Sequence, residues 1–372
     1  MKFKLEDICS YYKKKVEVSN LTLETYVSTE NMLPNKIGVV NASSLPSTKS
    51  MQAFEEGDIL VSNIRPYFKK IWKAKFNGGC SNDVLVFKAN ENIDSDFLYY
   101  VLADDAFFTY AMASSKGTKM PRGDKTSIMQ YEVPDYDVSI QKKIARILKR
   151  IDDKIELNNK INNNLEEQAQ ALFRKLFLGN NKYKTIALGN ITKNIRDRIG
   201  NNKATVLSAV NVGKLQPSDD FFKKRVYSKD TSKYITVKEG SFAYNPARIN
   251  IGSIGINDLG TKGCVSPVYV VFDVDSDYRS FFEFYFKTAI FKAETMLRAS
   301  GSVRQSLNYN DFALIDIKYP DRGTAQFFNK FWTKQKSIIS HLNRENERLS
   351  ELRDTLLPKL MSGEIDVSKI II

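Results

Sequence analysis

Histidine is nearly absent from this chain of 372 residues: His341 stands alone, and cysteine occurs three times, at Cys9, Cys80 and Cys264. No cysteine lies within metal-ligand spacing of another, and a structural zinc site needs about four Cys or His ligands close together, so that class is excluded. A Ser-His-Asp or Cys-His device would have to use His341, which sits among helix-patterned residues and reads as a solvated helix histidine. The three thiols read as reduced core residues of a cytosolic protein. Long apolar runs are missing too. Nothing approaches the roughly 20 residues of a membrane span, and Met1-Lys2-Phe3-Lys4-Leu5-Glu6 has no apolar signal segment, so a soluble, cytoplasmic protein is expected. No phosphate loop of the G-x-x-x-x-G-K-[ST] kind occurs, which excludes an ATP-driven motor from this chain.

What is present can fill real cores: 42% of residues are hydrophobic and 12% aromatic, and the length suggests two or three domains. Lys and Arg number 56 against 43 Asp and Glu, a net charge of +13, which points to a polyanion and to nucleic acid before membrane. The excess is uneven. Residues 182–250 hold 14 Lys and Arg against 5 Asp and Glu, residues 1–76 hold 12 against 8, and residues 77–140 hold 5 against 10. Such polarity suits phosphate binding.

The chain is written twice. A shift of 183 to 186 residues lays Leu5-Glu6-Asp7-Ile8 on Leu188-Gly189-Asn190-Ile191 and Glu56-Gly57-Asp58-Ile59 on Glu239-Gly240-Ser241-Phe242. The same shift lays Ser81 through Phe87 on Ser266 through Phe272, and Gly117 on Gly301. Each half carries short strand-like runs (Ile59–Ser62 and Val84–Lys88; Ser241–Tyr244 and Val268–Phe272) broken by Gly, Asn and Pro. A short helical pattern follows, Asp96–Ala113 or Tyr278–Ala299, and then a long helix, 140–178 or 325–360.

In the first long helix Ile144, Leu148, Ile151, Ile155, Asn158, Asn162, Leu165, Ala169, Leu172 and Leu176 recur in alternating steps of four and three. Adding 184 gives Phe328, Trp332, Gln335, Ile339, Leu342, Asn346, Leu349, Arg353, Leu356 and Leu360, so the seam survives the duplication and Asn162 lands on Asn346. Asparagine at a seam fixes register at a cost in stability, and Asn162→Leu is expected to stabilise the pair while loosening it. A helix of about 36 residues is about 54 Å long, more than a domain of this size needs. The two helices are therefore expected to pack antiparallel as a spacer.

With these features in place, the chain resembles the specificity subunit of type I restriction-modification systems over essentially its whole length. Glu55 through Ser62 is similar to that family's turn and strand, and Tyr244-Asn245-Pro246-Ala247-Arg248 and Val265-Ser266-Pro267-Val268-Tyr269 look like forms common in its recognition domains. Pro134 followed by Gln141-Lys142-Lys143-Ile144 resembles its proline-to-helix junction, although the usual second proline is missing, and Leu356 through Ile365 resembles its carboxy terminus. The resemblance implies a mixed α+β chain with two α/β target recognition domains in pseudo-twofold tandem repeat, separated by two long antiparallel coiled-coil helices. Residues 1–139 and 181–324 are the expected recognition domains, and 140–180 and 325–372 the spacer segments. It implies no catalysis by this chain. The partners would be double-stranded DNA, a methyltransferase subunit in two copies and a nuclease subunit, with S-adenosylmethionine, ATP and magnesium on those partners.

For DNA contact the loops after the short helices come first: Lys116, Thr118, Lys119, Arg122 and Lys125 in one half, Arg298, Ser302, Arg304 and Gln305 in the other. Lys and Arg supply charge to phosphate, and Arg304 with Gln305 can pair guanine and adenine edges. Arg65, Tyr67, Lys69, Lys70, Asn245 and Arg248, which follow the strands, come second. If the helices act as a ruler, the bipartite target spans about 12–16 base pairs with an unread gap in the middle. Two rivals exist. A single-chain adenine methyltransferase would need a second proline and an aromatic after Asn245-Pro246, and a βα context for Gly252-Ser253-Ile254-Gly255; it has neither. A structural coiled-coil protein without sequence specificity is the other.

Overall fold

The computed structural model describes residues 2–115, 117, 119–179, 182–210, 213–222, 225–299 and 306–370. The chain divides into unit 1, Met1–Asn159 with Asn343–Ile372, and unit 2, Lys160–Leu342. The boundary falls inside both long helices, Val138–Phe177 and Arg322–Ser362, so each unit owns one segment of each helix.

Within unit 1 a four-stranded antiparallel sheet has the order Cys9–Tyr11, Val84–Ala89, Ile59–Ser62, Ile71–Lys73. A second sheet orders Lys15–Glu17, Ser50–Phe54, Gly78–Cys80 and Tyr26–Val27, its last pair parallel. Strand Lys2–Lys4 pairs with Glu132–Pro134.

Unit 2 repeats this plan. Its first sheet orders Thr192–Ile195, Val270–Val274, Phe242–Tyr244 and Ile254–Ile256, and Lys184–Ala187 pairs with Asp316–Tyr319. Registers coincide as well: Tyr11 opposite Phe87 is answered by Asn194 opposite Phe272, and Gly79 opposite Ala53 by Cys264 opposite Thr236. The pairing of Lys15 with Gln52 survives as one bridge, Arg198 with Ile235. The half-length repeat is thus a repeat of strand order and register in the first sheet and in three strands of the second. In that second sheet unit 2 adds Lys214–Pro217 beside Thr205–Val210 and, among the described residues, keeps only that one bridge on the other edge.

The continuous apolar runs follow from what lies on either side of each first sheet. Successive strand residues point to opposite faces. In Val84-Leu85-Val86-Phe87, Leu85 and Phe87 enter the core shared with the helices, whereas Val84 and Val86 enter the core beneath the second sheet. In unit 2 Phe242 and Tyr244 face the helices and Ala243 faces the other way. A sheet covered on both faces reads as unbroken hydrophobic sequence rather than alternation.

The short helical patterns are corrected by the structure. Asp96–Ala113 is two helices, Ser95–Ala103 and Asp105–Ala113, and the chain turns at Asp104, whose carboxylate accepts a hydrogen bond from the Ala106 amide. In Tyr278–Ala299 the break comes between Arg279–Tyr285 and Ala289–Arg298, where Thr288 accepts from the Phe291 amide. Side chains of this kind compete with the helical backbone and start a new helix instead. The second long helix also continues through Pro358 to Ser362, beyond the expected end.

None of the seam residues on the two long helices is exposed. In unit 1 Ile144 and Leu148 share a core with Leu357 and Leu360; in unit 2 Ala169, Phe173 and Phe177 share one with Ala325, Phe328 and Trp332. The pairing in unit 1 is antiparallel: the Asn158 amide donates to Asn346 at 2.9 Å, and Arg353 meets Asp152 at 2.9 Å. The polar seam position Arg353 is therefore half of an ion pair, and Asp152 also accepts from the Tyr100 hydroxyl at 2.8 Å. Phe173 and Phe177 lie outside the seam frame yet are buried against Phe281 and Phe328, because the helix has to cover its own unit as well as its partner. His341 is exposed on its helix, and all three cysteines are free and buried.

Candidate nucleic-acid interface

In unit 1 the two groups of expected contact residues merge into one ridge. Strand Ile59–Ser62 runs out through Asn63 and Ile64 to Arg65, which with Lys69 brackets a single 3-10 turn, Pro66–Phe68. Arg65 and Lys69 both take the left-handed conformation, at φ 51° and 50°, uncommon for residues with a side chain. The loop after the second short helix docks on this turn. The Arg65 amide donates to the Pro121 carbonyl at 2.8 Å, Ile64 bridges Arg122, and the Gly123 amide donates to the Asn63 carbonyl. A Cβ on Gly123 would come within 2.8 Å of Ile128 Cδ1 and 2.9 Å of the Asn63 side-chain oxygen, so a larger residue there has to displace those side chains.

Several cations on the ridge are already occupied. Both Nε and Nη2 of Arg122 meet the Asp83 carboxylate at 3.2 Å. Lys69 reaches Asp105 at 2.6 Å, and Lys70 donates to the Thr29 carbonyl at 2.6 Å, where partial burial holds its ammonium below the ordinary lysine pKa. Arg65 has its Nε buried without a hydrogen-bond partner. Tyr67, half exposed and 4.6 Å from the Phe68 ring, and the exposed Lys119 and Lys125 remain presented to solvent. Lys116 and Thr118 lie outside the described residues.

Unit 2 brings together less of its expected set. Helix Ala289–Arg298 packs on the 3-10 turn Pro246–Ile251, and the Leu307 amide donates to the Pro246 carbonyl at 3.2 Å. The far end of the loop is thereby fixed beside Asn245, whose oxygen caps the turn by accepting from the Ala247 amide. Arg248 is exposed, and Arg298 pairs with Glu294 at 3.5 Å. Ser302, Arg304 and Gln305 lie outside the described residues.

Each unit also has a cleft at the same place, between the first strand of its main sheet and the helix after the docking loop. In unit 1 it measures about 380 Å³ and is bordered by Lys13, Lys14, Lys15, Gln52, Asn82 and Lys125. In unit 2 it measures about 540 Å³ and is bordered by Asn194, Arg196, Asn245, Tyr269, Asn308 and Tyr309. Among the described residues of the expected set, only Lys125 and Asn245 reach these clefts. The run Tyr11-Tyr12-Lys13-Lys14-Lys15 was the available signal for the first cleft, an aromatic pair followed by three cations. Behind it, Glu55 accepts from the Tyr12 hydroxyl and from Lys88, with Lys14 at 3.5 Å. The hydrogen bond from Lys88, then that from Tyr12, draws the Glu55 carboxyl down to about 2.

Comparison with known proteins agrees with this architecture. Residues 1–167 match the type I restriction modification DNA specificity domain. The chain is 24% identical to the type I restriction enzyme HindI specificity subunit of Haemophilus influenzae, over 98% of this chain and 99% of that protein. It is 23% identical to the MjaIX specificity subunit of Methanocaldococcus jannaschii, over 86% and 80%. The crystal structure of the type I S subunit from M. genitalium has the same fold, at a TM-score of 0.61 and 16% identity over 97% of this chain and 96% of that one. Domain match and end-to-end likeness make the chain similar to type I restriction-modification specificity subunits, and the structural likeness shows the same fold.

Proposed function

We propose that this chain is the DNA sequence-specificity subunit of a type I restriction-modification complex, in which its two units read the two halves of a bipartite target. The observation that carries the reading is the duplication of strand order and register in the first sheet, which gives each unit an equivalent cleft. Two similar readers on one chain suit a target in two parts. The chain does no chemistry in this reading. Adenine methylation and cleavage, with S-adenosylmethionine, ATP and magnesium, belong to a modification subunit in two copies and a restriction subunit in the cytoplasm. The long helices, 40 and 41 residues, set the unread gap.

The test is reconstitution with a modification subunit from the same source, followed by mapping of methylated adenines in a host that lacks the system. One bipartite motif with a fixed gap, lost when this chain is omitted, is the expected result. Methyl transfer by this chain alone would make it an enzyme instead. Complex formation without any sequence preference would make it a structural coiled-coil protein.

A further inference from the structure

The two clefts occupy equivalent positions, yet their side chains differ in a systematic way. Strand register and helix caps set the correspondence. Tyr11 opposite Phe87 matches Asn194 opposite Phe272, and Lys15 opposite Gln52 matches Arg198 opposite Ile235. Asp124 caps its helix as Asn308 caps the equivalent one. Lys13, Lys14, Lys15 and Lys125 of unit 1 therefore stand where unit 2 has Arg196, Asp197, Arg198 and Tyr309. Four positive charges are replaced by two positive, one negative and one neutral. The direction is opposite to the bulk composition, in which residues 182–250 are the more basic segment.

Pairing sharpens the contrast. Many cations of unit 1 are neutralised locally, Lys36 and Lys69 by Asp105, Lys73 by Asp96, Lys75 by Glu156, Arg122 by Asp83. Lys14 lies near Glu55. Among the described residues Lys13, Lys15 and Lys125 form no ion pair, and all three are exposed along one cleft wall. Lysine offers a compact, rotatable charge that suits phosphate but carries little base-edge geometry. In the unit 2 cleft the Asn194 amide and the exposed Arg196 guanidinium have no hydrogen-bond partner among the described residues, and they stand beside Tyr269 and Tyr309. Tyr309 is held by the Thr192 hydroxyl at 2.9 Å. Planar amide and guanidinium groups are those that pair bidentately with adenine and guanine edges.

We propose that the equivalent clefts do different work on DNA: the unit 1 cleft holds backbone phosphates with Lys13, Lys15 and Lys125, and the unit 2 cleft reads base edges with Asn194 and Arg196. This inference rests on the DNA-specificity reading and adds a division of labour to it. Each half-site then contributes differently to binding. Affinity contributed by the unit 1 cleft is sequence-independent and falls steeply with salt, because each neutralised phosphate releases counterions. The contribution of the unit 2 cleft shows in discrimination between bases.

The experiment uses the full chain assembled with its modification subunit and duplexes carrying the mapped target, with Kd measured from 50 to 300 mM salt. For Lys13→Gln/Lys15→Gln/Lys125→Gln the slope of log Kd against log salt should flatten by roughly 2 to 3, at about 0.9 per phosphate. Its preference for the target over single-base variants should be unchanged. For Asn194→Ala/Arg196→Ala discrimination at bases of one half-site should fall roughly 5- to 150-fold per pairing lost, corresponding to about 1–3 kcal/mol, with the slope altered by at most about 1. Lysine-to-arginine substitution at the three unit 1 positions should restore the slope, which separates lost charge from lost folding. A lysine variant that changes base preference at an unchanged slope would overturn the proposal, and so would an Asn194/Arg196 variant that flattens the slope and keeps full preference. A wild-type complex with no preferred sequence would sink the DNA-specificity reading itself, a distinguishable outcome.

Discussion

Asn158, fully buried in the helix pair of unit 1, donates from Nδ2 to Oδ1 of Asn346 at 2.9 Å and to Glu345 at 2.8 Å. Asn346 in turn donates to Asn159 at 2.9 Å. The side-chain oxygen of Asn158 is buried without a partner. A polar layer of this kind holds two helices in one alignment and costs stability relative to an apolar layer.

Removing the layer should therefore separate stability from alignment. Asn158→Leu/Asn346→Leu is expected to raise stability by about 1–3 kcal/mol, read as a higher urea midpoint at unchanged slope. Cysteine cross-linking reports alignment. Asp152→Cys with Arg353→Cys captures the native pairing, and Asp152→Cys with Leu349→Cys a slipped one. The slipped product should form only in the leucine background; a lower midpoint there, or no slipped product, would show that this layer does not set the register.

In unit 2 the buried Glu283 carboxylate accepts from Trp332 Nε1 at 3.0 Å and meets Lys336 at 3.0 Å, with Asp258 at 3.4 Å from the same ammonium. Losing the cation leaves a buried charge, whereas losing the charge leaves an amide that can still accept from Trp332. Lys336→Met is thus expected to cost about 2–4 kcal/mol and Glu283→Gln less than half of that. Equal losses in urea unfolding would mean that Glu283 is better solvated than its packing indicates.

Acid should act on unit 1 through Glu55. Its folded pKa, near 2, lies below the ordinary carboxylate value of 4.5 because the ionised form accepts from Lys88 and Tyr12. A depressed carboxylate stabilises the fold fully above its unfolded pKa, and the contribution is lost as pH falls through the folded value. The stability difference between the wild-type chain and Glu55→Gln is therefore expected to be level above about pH 5.5 and to shrink between 4.5 and 2. A difference that persists unchanged to pH 2 would rule out ionisation as its source.

Much of this architecture is legible in the residues. The seam frame through Ile144, Leu148 and Asn158 is visible because helical periodicity needs only local spacing, and the repeat is visible because Val84–Phe87 and Val270–Phe272 must each fill two cores. The breaks at Asp104 and Thr288 were written as caps, but each sits inside an apolar pattern that continues across it. The clefts were the least legible. Lys13 and Lys125 come together only through strand pairing and loop docking, over a hundred residues apart, and nothing local distinguishes a cation that will find a carboxylate, such as Arg122, from one that will not.

That distinction separates two residues of the same loop. Lys119 is exposed, whereas Arg122 spends its guanidinium on Asp83 and its backbone on the bridge to Ile64. Lys119→Ala should behave as the loss of one phosphate contact, weakening binding to every sequence and reducing the salt slope by about 1. Arg122→Ala should act first on the loop. The Asp83 carboxylate then loses its partner, and the docking of Pro121 and Gly123 on the 63–65 segment loosens, so amide exchange at Arg65 and Gly123, which donate to Pro121 and Asn63, should speed up in the free protein. If Arg122→Ala instead leaves exchange at Arg65 and Gly123 unchanged while cutting discrimination at one base by about 1–3 kcal/mol, then Arg122 gives up Asp83 for a base edge when DNA binds, and its ion pair is only a resting position.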